Sequence, residues 1–106
     1  MNALPAPQRL RRPLWLIAYD IRDPKRWRRI YRLLCAKGLR IQYSAFLLPL
    51  DDDAIPRLVE EIRQCIDTSE DDVRLYHLPV GTKVWHDGPP PVDGLLVDIA
   101  GLEWLC

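Results

Sequence analysis

One carboxylate beside a row of guanidinium groups is the arrangement in this sequence with the most chemistry in it. Asp20 ends the apolar run Leu-Trp-Leu-Ile-Ala-Tyr at residues 14–19, and Arg22, Lys25, Arg26, Arg28, Arg29 and Arg32 follow within twelve positions. A hard oxygen donor next to fixed cations suits a phosphodiester. Mg²⁺ often keeps several waters and takes only one or two protein carboxylates plus substrate phosphates. Such an ion can acidify a water and polarise the phosphorus centre, while the basic side chains neutralise the sugar–phosphate backbone. Asp20 is therefore the candidate catalytic residue and metal ligand, with Mg²⁺, or Mn²⁺ as the alternative, as cofactor. A two-fold axis that joined the Asp20 of two chains would give the ion a second carboxylate, and two carboxylates held close need a cation or proton between them. The competing reading of Asp20 is a capping or turn aspartate at a strand end.

Other catalytic constellations find little support. His77 and His86 are the only histidines, and neither has a serine or cysteine beside it. No His/Cys cluster has zinc spacing. The cysteines at 35, 65 and 106 are far apart and odd in number, which argues against a disulfide framework; Cys35 and Cys65 fall on or beside apolar stripes and read as core residues. The acidic triplet Asp51-Asp52-Asp53 reads as a helix cap rather than a metal site. No glycine-rich phosphate loop is present.

The whole-chain charge supports a polyanion partner. The formal net charge of zero divides into 11 Lys+Arg and 2 Asp+Glu over residues 1–40, against 4 and 13 over residues 41–106. The basic part suits nucleic acid, duplex DNA or RNA; alternatively, the two parts neutralise each other across the fold. A chain of 106 residues is one domain by length. No apolar run reaches the roughly 18–20 residues of a membrane span, and the first residues lack the pattern of a signal peptide. The expectation is a cytoplasmic protein that needs no membrane.

The elements that must position these groups are legible in outline. Residues 14–19 form a central strand covered on both faces. Asp23 is an N-cap and Pro24 the first helical residue, with Gly38 the matching stop at C′. Trp27, Ile30, Tyr31 and Leu34 make the buried stripe, and Lys25, Arg28, Arg29 and Arg32 fall on the other side. Cations near a helix N-terminus cost a few tenths of a kcal/mol each, so a bound phosphate backbone is the simplest reason for them. Residues 39–50 read as two strands with a bend near 42–44. One face of the sheet takes the helices, and the other implies a second subunit as cover. A second helix carries Ile55, Leu58, Val59, Ile62 and Ile66 at helical spacing, and a strand follows at 73–78. A short strand at 82–86, a proline spacer at 89–91 and an apolar strand at 95–99 complete the chain, the last suited to pairing with another chain. The expected organisation is a flexible basic arm at 1–13, which includes Arg9, Arg11 and Arg12, a domain at 14–88 and a tail strand at 89–106. Strand, helix, strand, strand, helix, strand is the α+β ferredoxin-like βαββαβ order, an antiparallel sheet with two helices on one face.

Several of these segments together resemble a known family. Tyr19-Asp20-Ile21 closes the first strand and Asp23-Pro24-Lys25-Arg26 opens the helix. With Leu39-Arg40-Ile41-Gln42-Tyr43-Ser44-Ala45-Phe46 and Val73-Arg74-Leu75-Tyr76-His77-Leu78-Pro79, they are similar to the CRISPR-associated endoribonuclease family Cas2 over about residues 14–88. The resemblance implies a homodimer whose sheets face each other, with a strand near 82–86 crossing to the partner. It implies a Mg²⁺-dependent nuclease on RNA or DNA. It also implies a role beside the Cas1 integrase in spacer capture, where the dimer bridges two integrase dimers and holds the duplex without needing to cleave. By position, Asp20 matches the metal-binding aspartate, Arg29 and Arg40 match basic positions, and Phe46 matches the second-motif aromatic. Tyr43, Phe46, Val84 and Trp85 are the expected structural or dimer residues, and Arg40 joins Arg22, Lys25, Arg26, Arg28, Arg29 and Arg32 as a nucleic-acid contact. Trp27 stands where some relatives carry arginine, and Leu47 where many carry an acid. Residues 91–97 look like a strand that some members use to grip the integrase. The alternatives are a non-catalytic scaffold, or a toxin-type ribonuclease of the same fold unrelated to CRISPR.

Overall fold

The structure, a computed structural model, describes residues 8–85. The proline spacer, the tail strand at 95–99, His86 and Cys106 lie outside the described residues. Strand β1 is Gln8–Arg9, β2 is Leu14–Asp20, α1 is Pro24–Cys35, β3 is Leu39–Gln42 and β4 is Ala45–Leu48. A short 3₁₀ turn, Asp52–Ala54, leads into α2, Ile55–Arg63, followed by β5, Asp72–Leu78, and β6, Lys83–Val84. The main sheet has the order β3-β4-β2-β5, with antiparallel neighbours throughout. This is the ferredoxin-like arrangement expected from the order of elements.

β2 is central because its residues are apolar on both faces. Trp15, Ile17 and Tyr19 pack toward the helices, with Ile30, Leu34, Phe46, Leu48, Leu58 and Ile62. Leu14 and Leu16 point the other way and join Leu10, Leu47 and Leu78. Ile17, Ile30, Leu34 and Phe46 have no exposed surface, and each such burial is worth about 1.5–3 kcal/mol. β3 and β4 are two strands joined through Tyr43 and Ser44, with a register shift between Arg40 and Gln42, as the expected bend requires.

The entry to α1 follows its sequence. Asp23 is extended at φ −86°, ψ 131°, and its Oδ2 accepts from the backbone N–H groups of Lys25 and Arg26, both at 3.0 Å. The exit differs from expectation. Ala36 caps the helix in a right-handed conformation, and Gly38 is not among the residues with positive φ. Gly38 is required by close approach instead: a Cβ there would run into the Leu47 carbonyl oxygen and sit 2.7 Å from Leu48 Cδ2. The entry to α2 also differs. Neither Asp51 nor Ala54 makes a side-chain cap bond. Asp52 Oδ1 instead accepts from Trp15 Nε1 at 3.3 Å, leaving the acids of this turn with a favourable interaction with the helix dipole.

The sheet face away from the helices is partly covered by the chain itself. β1 pairs antiparallel with β6, Gln8 opposite Val84 and Arg9 opposite Lys83. The Leu10 N–H donates to Thr82 at 3.0 Å, and the Gly81 N–H donates to Leu10 at 2.8 Å. Gly81 turns the chain there at φ 86°, a conformation that favours glycine. Leu10 is 2% exposed. Residues 8–9, expected within a flexible basic arm, thus form a short strand, and the buried Leu10 that follows anchors it. β6 pairs within the chain, and Val84 packs against this second cluster.

Candidate nucleic-acid site

Asp20 ends β2 directly opposite Asp72 of β5. Strand alternation puts Asp20 on the same sheet face as Leu14 and Leu16, away from the helices. Like charges directly opposite each other repel. Asp72 is relieved by Arg74, whose Nε lies 2.9 Å from Asp72 Oδ2. Asp20 is exposed, and among the described residues nothing donates to its carboxylate or pairs with it. Asp20 caps no helix among the described residues; Asp23 is the cap of α1. No group of three or more Asp, Glu, His or Cys among the described residues could hold a metal ion. A free carboxylate with a second one across the ladder fits an ion that keeps most of its waters, not an all-protein cage. Asp72 escapes sequence reading because only strand register brings it to Asp20.

The basic residues divide into three kinds. Arg22, Lys25, Arg28, Arg29 and Arg32 are exposed and form no ion pair among the described residues. The last four share one stripe of α1 by their spacing, about 10 Å long at 1.5 Å per residue. The stripe lies in the helix layer and climbs away from the Asp20 end, so only Arg22 and Lys25 stay near the carboxylate along the chain.

Arg26, expected as a nucleic-acid contact, is instead engaged within the fold. Its Nε donates to Asp71 Oδ2 at 2.8 Å and its Nη2 to Asp71 Oδ1 at 3.2 Å and Glu70 Oε2 at 3.0 Å. Asp71 also accepts from the backbone N–H groups of Arg22 and Asp67, at 3.1 and 2.9 Å. The Arg26 side-chain bonds, followed by the two backbone bonds, outweigh the opposing effect of burial and hold the Asp71 carboxyl down at about 2. Arg26 ties α1 to the loop before β5 and has no charge to spare for phosphate. Of the basic residues before position 41, Arg26 and Lys37 alone pair with acids of the second part among the described residues, Lys37 at 3.9 Å from Glu61. Neutralisation across the fold therefore leaves the α1 stripe untouched.

Arg40 is also engaged. Its Nε donates to the Gln42 carbonyl at 3.2 Å, and its guanidinium lies 5.3 Å from the Tyr31 ring centre and 5.4 Å from that of Tyr43. It braces an aromatic stack in which Trp27 lies 5.2 Å from Tyr31 and 4.9 Å from Tyr43. The four expected structural or dimer residues separate. Phe46 is fully buried and cannot reach a partner. Tyr43 is exposed on the helix side at the Asp20 end. Val84 packs on the second sheet face, and Trp85 follows it, 53% exposed. Tyr19, next to Asp20 in sequence, points into the helix-side core, where burial pushes its hydroxyl up to about 12. It is no proton donor or acceptor for chemistry at Asp20.

An antiparallel sheet of this strand order, two helices on one face and a free acid at the end of the central strand define a ferredoxin-like protein with a basic helix flank. The sequence matches the family CRISPR associated protein Cas2 over residues 13–84, and the chain belongs to that family. It is 42% identical over 65 residues to the CRISPR-associated endoribonuclease Cas2 1 of Nitrosomonas europaea, a match that covers 61% of this chain and 62% of the relative. It is 34% identical over 83 residues to the CRISPR-associated endoribonuclease Cas2 3 of a Synechocystis strain, covering 74% of this chain and 88% of that one. Among solved structures, a hypothetical protein from Thermus thermophilus matches with a TM-score of 0.66 at 34% identity, covering 74% of this chain and 94% of that one. Streptococcus pyogenes Cas2 matches with a TM-score of 0.58 at 28% identity, covering 61% and 84%. No helix among the described residues is long and apolar enough to cross a membrane.

Proposed function

We propose that this chain is a CRISPR adaptation protein that works as a homodimer, binds nucleic acid beside the Cas1 integrase during spacer acquisition, and cleaves phosphodiesters with Mg²⁺ held at Asp20. The observation that carries the reading is the unpartnered Asp20 carboxylate at the end of the central strand, with unpaired Arg22 and Lys25 just beyond it. Curated relatives are named endoribonucleases, which supports RNA as the substrate. A second copy packed on the sheet face away from the helices would meet the face that carries Asp20, Leu16 and the 45%-exposed Tyr76. Bound there, Mg²⁺ would supply an acidified water and a Lewis acid. The chain's own share is to hold the carboxylate clear of internal partners and to dock phosphates on Arg22 and Lys25.

A scaffold role without cleavage is the second reading. It is favoured by the separation of the α1 stripe, in the helix layer, from Asp20 on the opposite sheet face. The test is cleavage of a labelled RNA with and without Mg²⁺ by wild type and Asp20→Asn. Loss of the Mg²⁺-stimulated rate with unchanged binding supports the nuclease. Equal rates would remove Asp20 from the chemistry and leave the scaffold.

A further inference from the structure

An open cavity of about 400 Å³ lies where the β2–α1 connection, the first turns of α1 and the β3–β4 turn meet; Ile21, Arg22, Pro24, Trp27, Arg28 and Tyr43 line it. Its lining is flat aromatic surface and two cations, with no acid. Tyr43 is 67% exposed, yet its ring is held by stacking on Trp27 at 4.9 Å and 23°. Trp27 is stacked in turn on Tyr31 at 5.2 Å and 12°, and the Arg40 guanidinium braces both tyrosines. A platform ordered in advance loses little conformational entropy when a ring lies on it. Trp27, whose indole N–H is buried without an acceptor, contributes its ring to the cavity wall. Arg22 and Arg28 have no acidic partner among the described residues.

A flat ring joined to an anion is the chemistry these groups match. We propose that the cavity holds one unstacked nucleotide of a single strand, its base against Tyr43 and its phosphate between Arg22 and Arg28. A paired duplex cannot use the platform, because its bases are already stacked. The inference rests on the reading that this chain binds nucleic acid, and it adds a preference for unpaired strands at one place. The α1 stripe, Arg28 included, remains a contact for the phosphate backbone of a duplex.

The experiment uses the full chain with a single-stranded oligonucleotide carrying 2-aminopurine and with a blunt duplex of the same sequence. Wild type should quench the 2-aminopurine on binding. Tyr43→Leu should abolish the quench and weaken single-strand binding about 5- to 100-fold, the range for losing one stacked base. Tyr43→Phe should restore both, and duplex affinity should change by less than about twofold, since phosphate contacts carry it. Circular dichroism checks that the variants fold. A Tyr43→Leu variant that binds and quenches like wild type would overturn the nucleotide site while leaving nucleic-acid binding intact. Wild type that binds neither oligonucleotide would overturn both.

Discussion

Arg26 holds Asp71 in a side-on pair, Nε to Oδ2 at 2.8 Å and Nη2 to Oδ1 at 3.2 Å, and the Asp71 side chain is fully buried. This contact fastens the start of α1 to the loop that delivers β5. Replacing Asp71 with Ala leaves the guanidinium and two backbone N–H groups without their acceptor. Asp71→Ala should lower the thermal midpoint by at least about 4–8 °C, the shift expected from even a modest loss in a domain of this size. Calorimetry or a thermal CD scan measures it.

The same carboxyl makes stability depend on acid. Asp71 sits at about 2 in the folded chain against an ordinary 3.8, and Asp23 is also lowered, first by its backbone bond from Arg26. A carboxyl depressed by folding stabilises the native state fully above its unfolded value, and that stability drains as pH falls through the folded value. Urea midpoints should be level above about pH 5 and fall from about pH 4 toward pH 2. In Asp71→Asn the fall should be shallower; a profile identical to wild type would assign the acid sensitivity elsewhere.

Asp20→Asn should cost no stability. It removes one of two carboxylates that face each other across β2 and β5, so the folded state should gain about a few tenths of a kcal/mol at low salt. The gain should fade as salt screens the pair. Denaturant titrations at two salt concentrations test this independently of any nuclease assay.

The free and the engaged arginines should separate by salt dependence. Arg28→Glu with Arg29→Glu should weaken duplex binding and lower the slope of log K against log salt by about 1.8, about 0.9 for each lost phosphate contact. Arg26→Gln should leave that slope unchanged, because its charge already belongs to Asp71 and Glu70. Equal slopes for wild type and the double variant would clear α1 of phosphate contact.

Gly38→Ala should destabilise the chain by about 1–3 kcal/mol, the usual cost of forcing a methyl into a packed site. The added carbon would meet backbone, the Leu47 carbonyl, as well as a side chain. A loss below about 0.5 kcal/mol, the ordinary range of a surface change, would mean the strand can yield.

Much of this fold is legible in the sequence. The apolar run before Asp20, the Asp23-Pro24 helix start and the alternation at 73–78 are local signals, each carried by a few neighbouring residues whose backbone preferences and periodicity act at short range. They are enough to place the four strands of the main sheet, the two helices, the ferredoxin-like order and the exposed stripe Lys25, Arg28, Arg29 and Arg32. What could not be read depends on which distant segments meet. Asp72 stands across from Asp20, Arg26 is spent on Asp71, Arg40 braces Tyr31 and Tyr43, Gly38 yields space to Leu47, and Leu10 covers part of the sheet face away from the helices. Each is a long-range contact set by strand register and packing, and a side chain's type does not say whether its charge or ring will find a partner inside the fold or remain free for one outside it.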